Sequence, residues 1–169
     1  MDIFEALHNR RSIRKFEDKS VSDEDLKAIL EATMMAPSAG NAQPWQFVVV
    51  TDREKLEAVT KINQYAQMAP KAPVSILVCG DLSLEKYAGY WVQDCSAAIQ
   101  NMLLAACGKG LGTVWTGIYP MEDRVAGFRE LFKLPENVVP LGLIVLGHPA
   151  QTPKSESRYR QERIHYNEW

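Results

Sequence analysis

The chain has 169 residues, of which 46% are hydrophobic and 24% charged, and its formal net charge is −2. Length and composition suit one globular domain with its own core, residues 1–169. The slightly acidic balance excludes a bulk basic surface for nucleic acid or anionic membrane, and three cysteines without a C-x-x-C pair exclude a disulfide framework and a zinc knuckle.

In chain order, Asp2–Asn9 reads as a short helix with Ile3, Phe4 and Leu7 at helical spacing. "RRSIRKF" follows and packs Arg10, Arg11, Arg14 and Lys15 together. "SVSDEDLKAILEATMMAP" carries the clearest helix signal. Ser22 is a good N-cap, and Asp23, Glu24 and Asp25 put negative charge in the first turn. Val21 and Leu26 form a hydrophobic staple, and Pro37 closes the segment. "PSAGNAQPW" is a loop of turn formers. "WQFVVVT" is a β-branched and aromatic strand. A short helix over Glu54–Lys61 follows, with Asp52 as its cap, and "PVSILVCG" is a second buried strand.

Tyr87–Cys107 reads as a long central helix, apolar on most of its circumference, with Asp94 in its middle and Gly108 as its stop. Such a helix belongs in a core or at a subunit interface. "LGTVWTG" is strand-like, Glu122–Phe132 is an amphipathic helix stopped by Pro135, and "VVPLGLIVLGHP" is the last core strand. The tail, about 151–169, is polar and basic but ends "RIHYNEW", too apolar to be idle. The expected class is α+β, with a mixed or antiparallel central sheet covered by helices. No secretory leader pattern opens the chain, and its longest apolar run falls short of the ~20 residues that span a bilayer, so the expected location is cytoplasmic. Cys79, Cys95 and Cys107 read as small buried hydrophobes in a reducing compartment.

Several chemistries lack their residues. There is no G-x-S-x-G elbow, no Walker loop, and His8, His148 and His165 stand alone. "GKGLG" follows a helix and precedes a strand, the reverse of a dinucleotide-binding turn. No metal site is expected. No carboxylate pair stands out as acid and base, so an enzyme of this sequence would borrow its reacting group from a cofactor.

The arginine cluster has two readings. Cations near a helix C-terminus complement its dipole. Alternatively, Arg10 and Arg14 share one face if the helix continues through them, and with Ser12 they form an anion site suited to a phosphomonoester. "PSAGNAQPW" favours the second reading, because Ser38, Asn41 and Gln43, stiffened by Pro37 and Pro44, offer donors and acceptors to a planar heterocycle such as a flavin.

"RRSIRKF", "APSAGNAQPWQFVVV", "AAIQNMLLAACGKGLGTVWTG" and "RYRQERIHYNEW" together resemble the nitroreductase family of FMN-dependent oxidoreductases, over nearly the whole chain and in register. The resemblance implies an FMN-dependent nitroreductase-like α+β fold, built as an intertwined homodimer with two FMN molecules at its interface and the tail wrapping the partner. It assigns Arg10, Ser12 and Arg14 to the phosphate and ribityl segment, with Arg11 beside them. It assigns Pro37, Ser38, Ala39 and Asn41 to a loop reaching the flavin from the other subunit. Thr116 and Gly117 match a turn near flavin N5 and O4, Arg158 a tail arginine at the phosphate (with Arg160 as fallback), and Gln67 a further flavin contact.

The implied activity is ping-pong. NADH or NADPH gives a hydride to flavin N5, and a nitroaromatic, quinone or similar acceptor then takes the electrons, with no catalytic side chain. The alternatives are a flavin-binding protein of the same fold with another redox partner or a sensor or storage role, and an anion- or nucleic-acid-binding module built on the arginines. Only Asp81–Tyr90 stands where larger members carry a helical insertion, so no long lid over the pocket is expected.

Overall fold

The computed structural model describes residues 1–169. Five helices and four strands alternate along the chain: α1 (Ile3–Asn9), α2 (Asp23–Met34), β1 (Trp45–Val50), α3 (Arg53–Ile62), β2 (Val74–Asp81), α4 (Trp91–Gly108), β3 (Gly112–Gly117), α5 (Glu122–Phe132) and β4 (Val138–Gly147). The strands form one sheet in the order β1-β2-β4-β3, every pair antiparallel. The class is α+β, as expected. The one parallel element is an isolated bridge from Ser12 to Thr113 at the β3 edge.

β2 and β4 lie in the middle and are buried on both faces, which is why their sequences read as continuous apolar runs. Their alternation feeds two cores. Ile76, Val78, Ile144 and Leu146 join Ile29, Ile99 and Met102 under α2 and α4. Leu77, Cys79, Leu143 and Val145 join Leu56, Val59 and Phe128 under α3 and α5. The register slips between Val78, opposite Gly142, and Cys79, opposite Pro140. The bulge lets a proline, which has no N–H to give the ladder, sit in a central strand.

Helix starts follow the caps read from sequence. Ser22 Oγ accepts the Asp25 N–H at 3.1 Å, and Asp52 Oδ1 accepts from Glu54 and Lys55 at 2.9 and 3.2 Å. α1 ends at Asn9, as read from sequence; Arg10 leaves the helix (φ −55°, ψ 121°), so the helix does not carry Arg10 and Arg14 on one face. Elsewhere the helix limits or their stops differ. α4 begins at Trp91 rather than Tyr87, since Gly89 takes φ +89°. α4 also runs through Gly108, and the left-handed residue after it is Gly110 at φ +74°. α5 stops at a left-handed Lys133 before Pro135 is reached. No helix is long and apolar enough to cross a membrane.

Candidate functional site

Residues 10–16 leave α1 without regular structure and meet the β3 edge through the bridge from Ser12 to Thr113. The Ile13 N–H donates to the Thr113 carbonyl at 2.8 Å, and the Ile13 side chain is buried. Gly112 permits this approach: a Cβ there would lie 2.8 Å from Ile13 side-chain carbons. The segment thereby passes between two cavities. Arg10, Arg11 and Ile13 line one of 310 Å³, walled by Gly110–Thr113 and by the start of the tail. Arg14 lines the other, of 210 Å³, together with Tyr65, Trp115, Thr116 and Gly117.

The first cavity concentrates positive charge. Partial burial, followed by the nearby charges of Arg158 and Arg11, pulls the Arg10 pKa below its ordinary value. The chain's two ion pairs are Lys27–Glu31 and Lys109–Asp25, so no carboxylate neutralises this cluster. An anion would relieve the repulsion, and arginine forks match phosphate oxygens. A larger cavity of 680 Å³ near Lys19 and Arg53 lacks this character. There Glu17 and Asp18 face the lysines, and Arg53 is spent on the Pro70 and Ala72 carbonyls at 2.9 and 2.7 Å.

The tail closes the first cavity. Gln151 Oε1 accepts the Arg14 N–H at 3.1 Å, and Ala150 donates to the Lys15 carbonyl at 2.9 Å. Arg11 is mostly consumed as an anchor. Its Nη1 donates to the His8 and Arg10 carbonyls at 2.9 and 2.7 Å, and its Nη2 to Ser155 Oγ at 2.7 Å. Of the two candidate tail arginines, Arg158 is the one whose charge reaches Arg10; Arg160 Nη1 bonds the carbonyl of its own neighbour Tyr159 at 3.0 Å.

At the second cavity, Thr116 spends its hydroxyl on the Leu143 carbonyl at 3.1 Å. The Gly117 carbonyl accepts both Asn63 Nδ2 and Arg124 Nη1, each at 3.1 Å. Asn63 is fully buried, and the Arg124 guanidinium lies 5.2 Å from the Tyr65 ring centroid. Gln67 does not line this cavity. Its side chain is exposed and Nε2 donates back to the Thr60 carbonyl at 2.9 Å. Asn63, Tyr65, Trp115 and Arg124 were not singled out from sequence. Asn63 stands where an ordinary helix C-cap would, so its reach across to β3 has no local signature.

The Pro37–Gln43 loop lies apart from both cavities. Ser38 Oγ accepts the Gln43 N–H at 2.9 Å, and Asn41 Oδ1 accepts Gln43 Nε2 at 2.8 Å. Gly40, Asn41 and Gln43 hold positive φ of 59°, 55° and 49°. Pro37, Ser38 and Ala39 line a third cavity of 390 Å³ with Tyr90 and Asp94. Within one chain, therefore, Arg10 and Arg158 come together, Arg14 joins Thr116 and Gly117, and the loop meets neither group. FMN fits the first two cavities: unneutralised guanidiniums suit its phosphate, and the Gly117 edge opens to empty space.

The nitroreductase family model matches residues 7–75 and 61–148. A protein of Methanothermobacter thermautotrophicus, provisionally named NADH dehydrogenase/NAD(P)H nitroreductase, is 52% identical over 169 residues, covering 100% of this chain and 88% of its own. An FMN reductase [NAD(P)H] of Bacillus subtilis is 30% identical over 99% of this chain and 74% of its own length. A Desulfovibrio desulfuricans structure solved in complex with FMN superposes with a TM-score of 0.86 at 33% identity, covering 100% of this chain and 98% of that one. The antiparallel sheet, the arginine segment laid along β3 and these matches agree, and the chain belongs to the nitroreductase family.

Proposed function

We propose that the chain is an FMN-dependent NAD(P)H oxidoreductase that works as a homodimer. The observation that carries this reading is the unneutralised cluster of half-buried Arg10 and Arg11 with exposed Arg158, joined by the segment 10–14 to the cavity of Arg14, Thr116 and Gly117. A phosphomonoester brings about −1.5 to −2 charges at neutral pH, enough to offset this repulsion. When bound, FMN supplies the redox chemistry, taking a hydride from NADH or NADPH and passing the electrons to a nitroaromatic, quinone or similar acceptor.

The residues divide the remaining work. Arg10 and Arg158 grip the phosphate, and Arg11 holds the tail that walls the site. Ser12 sits between the two cavities, where a ribityl chain would lie. Arg14 sets positive charge beside the ring and favours its anionic reduced form. Asn63 and Arg124 fix the Gly117 turn from behind through its carbonyl. Tyr65 and Trp115 offer aromatic surface to flat acceptors.

The homodimer places Pro37, Ser38, Ala39 and Asn41 against the flavin held by the second copy, as their separation within one chain invites. Residues 1–169 act as one domain, and the tail from about 151 wraps the partner. Tyr159, Tyr166 and Trp169 in that tail, Phe4 on α1 and Met35 just past α2 are exposed apolar groups that a second copy would cover. The cytoplasm is the proposed location, in keeping with three free thiols.

The test is the purified protein itself. It should carry, or take up, FMN and show the visible flavin band. Anaerobic NADH or NADPH should bleach that band, and a nitroaromatic or quinone should restore it. A protein that binds no flavin overturns the reading. A flavin-bound protein that neither nucleotide bleaches points to the sensor or storage alternative.

A further inference from the structure

Arg124 stands half-buried in the first turn of α5, where a positive charge opposes the helix dipole. Its Nη1 donates to the Gly117 carbonyl at 3.1 Å, and its other N–H groups have no acceptor within the chain. Glu122 and Asp123 precede it on the helix, yet neither ion pair of the chain includes it. A charge at this place is unfavourable for the helix, and no partner within the chain offsets it.

Support of the Gly117 turn does not require that charge. Buried Asn63 already donates to the same carbonyl through Nδ2 at 3.1 Å, and a neutral amide could supply a second bond. The flavin ring does not require it either, because Arg14 lines the same cavity and sets a positive charge there. What Arg124 adds is a cation beside an aromatic wall. Its guanidinium lies 5.2 Å from the Tyr65 ring centroid. Tyr65 is 60% exposed, lines the 210 Å³ cavity with Trp115 and Gly117, and is held through its N–H by Asn63 Oδ1 at 3.0 Å. Arg124 therefore meets two residues of the cavity wall from its rim, with donors to spare.

We propose that Arg124 reads an anionic group on the electron acceptor, so that the site favours flat acceptors carrying a carboxylate on the ring over neutral ones. The inference rests on the flavoprotein reading above and names the charge class of its acceptor. A ring packed against Tyr65 and Trp115 brings a substituent on its edge to the guanidinium, whose fork matches the two oxygens of a carboxylate. The electron donor fits less well. A nicotinamide carries a neutral carboxamide on its ring, and its phosphates lie beyond a ribose, farther out than a cation in contact with the Tyr65 ring is placed to serve.

The test titrates the full chain, saturated with FMN, with benzoate and with benzamide, which share a flat ring and differ in charge. Binding is read by calorimetry. Wild type should bind benzoate at least tenfold more tightly than benzamide, and Arg124→Gln should lower that ratio at least tenfold. Arg124→Met keeps the apolar stem against Tyr65 and takes the place of the first variant if that one does not fold. The kcat/KM ratio of 4-nitrobenzoate over 4-nitrobenzamide should fall by a similar factor, since the substitution leaves the intrinsic reducibility of the two acceptors alone. Equal affinities in wild type overturn the proposal without any variant. Losses shared equally by both compounds assign Arg124 to the Gly117 turn alone and overturn it. Slower bleaching by NADH with the benzoate ratio kept assigns it to the nucleotide and overturns it too. The flavin band of the same samples reports on the activity separately. With the band present and bleached, a missing benzoate preference sinks only the role of Arg124; with no flavin bound, both readings fall.

Discussion

Gln151 accepts the backbone N–H of Arg14 across 137 positions of sequence. With the Ala150 N–H bond to the Lys15 carbonyl, it fastens the root of the tail to the segment joining the two cavities. A neutral hydrogen bond of this kind contributes about 0.5–1.5 kcal/mol. Gln151→Ala is therefore expected to lower stability by about that amount and to weaken FMN several-fold, read by chemical denaturation and flavin titration.

Arg10 is expected to discriminate between flavins. Arg10→Gln should weaken FMN strongly, by about 1.5–3 kcal/mol for a lost charge-assisted bond, and leave riboflavin nearly unaffected. Arg158→Gln should do the same to a smaller extent, because Arg158 is exposed. Equal losses for both ligands in fluorescence titrations would remove the phosphate assignment.

Gly112 leaves the room that the Ile13 side chain fills. A methyl at that position would meet three Ile13 carbons at 2.8 Å. Gly112→Ala is expected to cost about 1–3 kcal/mol, the range for overpacking, and to lower the melting temperature. Ile13→Val in the same background should recover little of the loss, since valine keeps the Cβ and both γ carbons that crowd the new methyl.

The Lys109–Asp25 pair, 3.0 Å apart, ties the end of α4 to the start of α2. Its bond to Lys109, then one from Ser22, hold the Asp25 pKa below its ordinary value; Asp25 in turn holds that of Lys109 above. A depressed carboxylate stabilises above its unfolded pKa and loses that contribution as pH falls through the folded one. A raised amine stabilises below its unfolded pKa and loses it as pH rises through the folded one. The stability gap between wild type and Lys109→Met should be present at neutral pH and close below about pH 4 and above about pH 10. Denaturant melts across pH measure it, and salt should shrink the gap because the pair is exposed.

The thiols should separate by reactivity. Burial pushes the Cys79 and Cys95 thiols up to about 12, so neither forms thiolate at neutral pH. Cys107 is only partly buried and lines the arginine cavity. An alkylating reagent should label Cys107 alone in the native protein and all three after unfolding, counted by intact mass.

The sheet was legible from sequence because β2 and β4 are buried on both faces and read as unbroken apolar runs. The caps at Ser22 and Asp52 were legible because they act within three residues. What sequence could not show was long-range. Whether Arg10–Arg14 continue the first helix is open in the sequence, and it is settled by Ile13 pairing with Thr113, one hundred positions away. Arg11 looked like a fourth phosphate donor, and only the fold shows Ser155 occupying its fork. That Asn63 turns inward to Gly117 while Gln67 stays exposed has no local signature, because nothing local says which amide turns inward. Asp94 drew notice as a charge in an apolar helix, but its partner Ala39 lies in another element.

The run from Arg10 to Arg14 sets a spacing. Arg10 lines one cavity and Arg14 the other, so the separation of their guanidiniums is set by backbone rather than by the reach of flexible side chains alone. The bridge from Ser12 to Thr113 pins the middle of that run to the β3 edge, so one inserted residue would put the two cationic groups out of step.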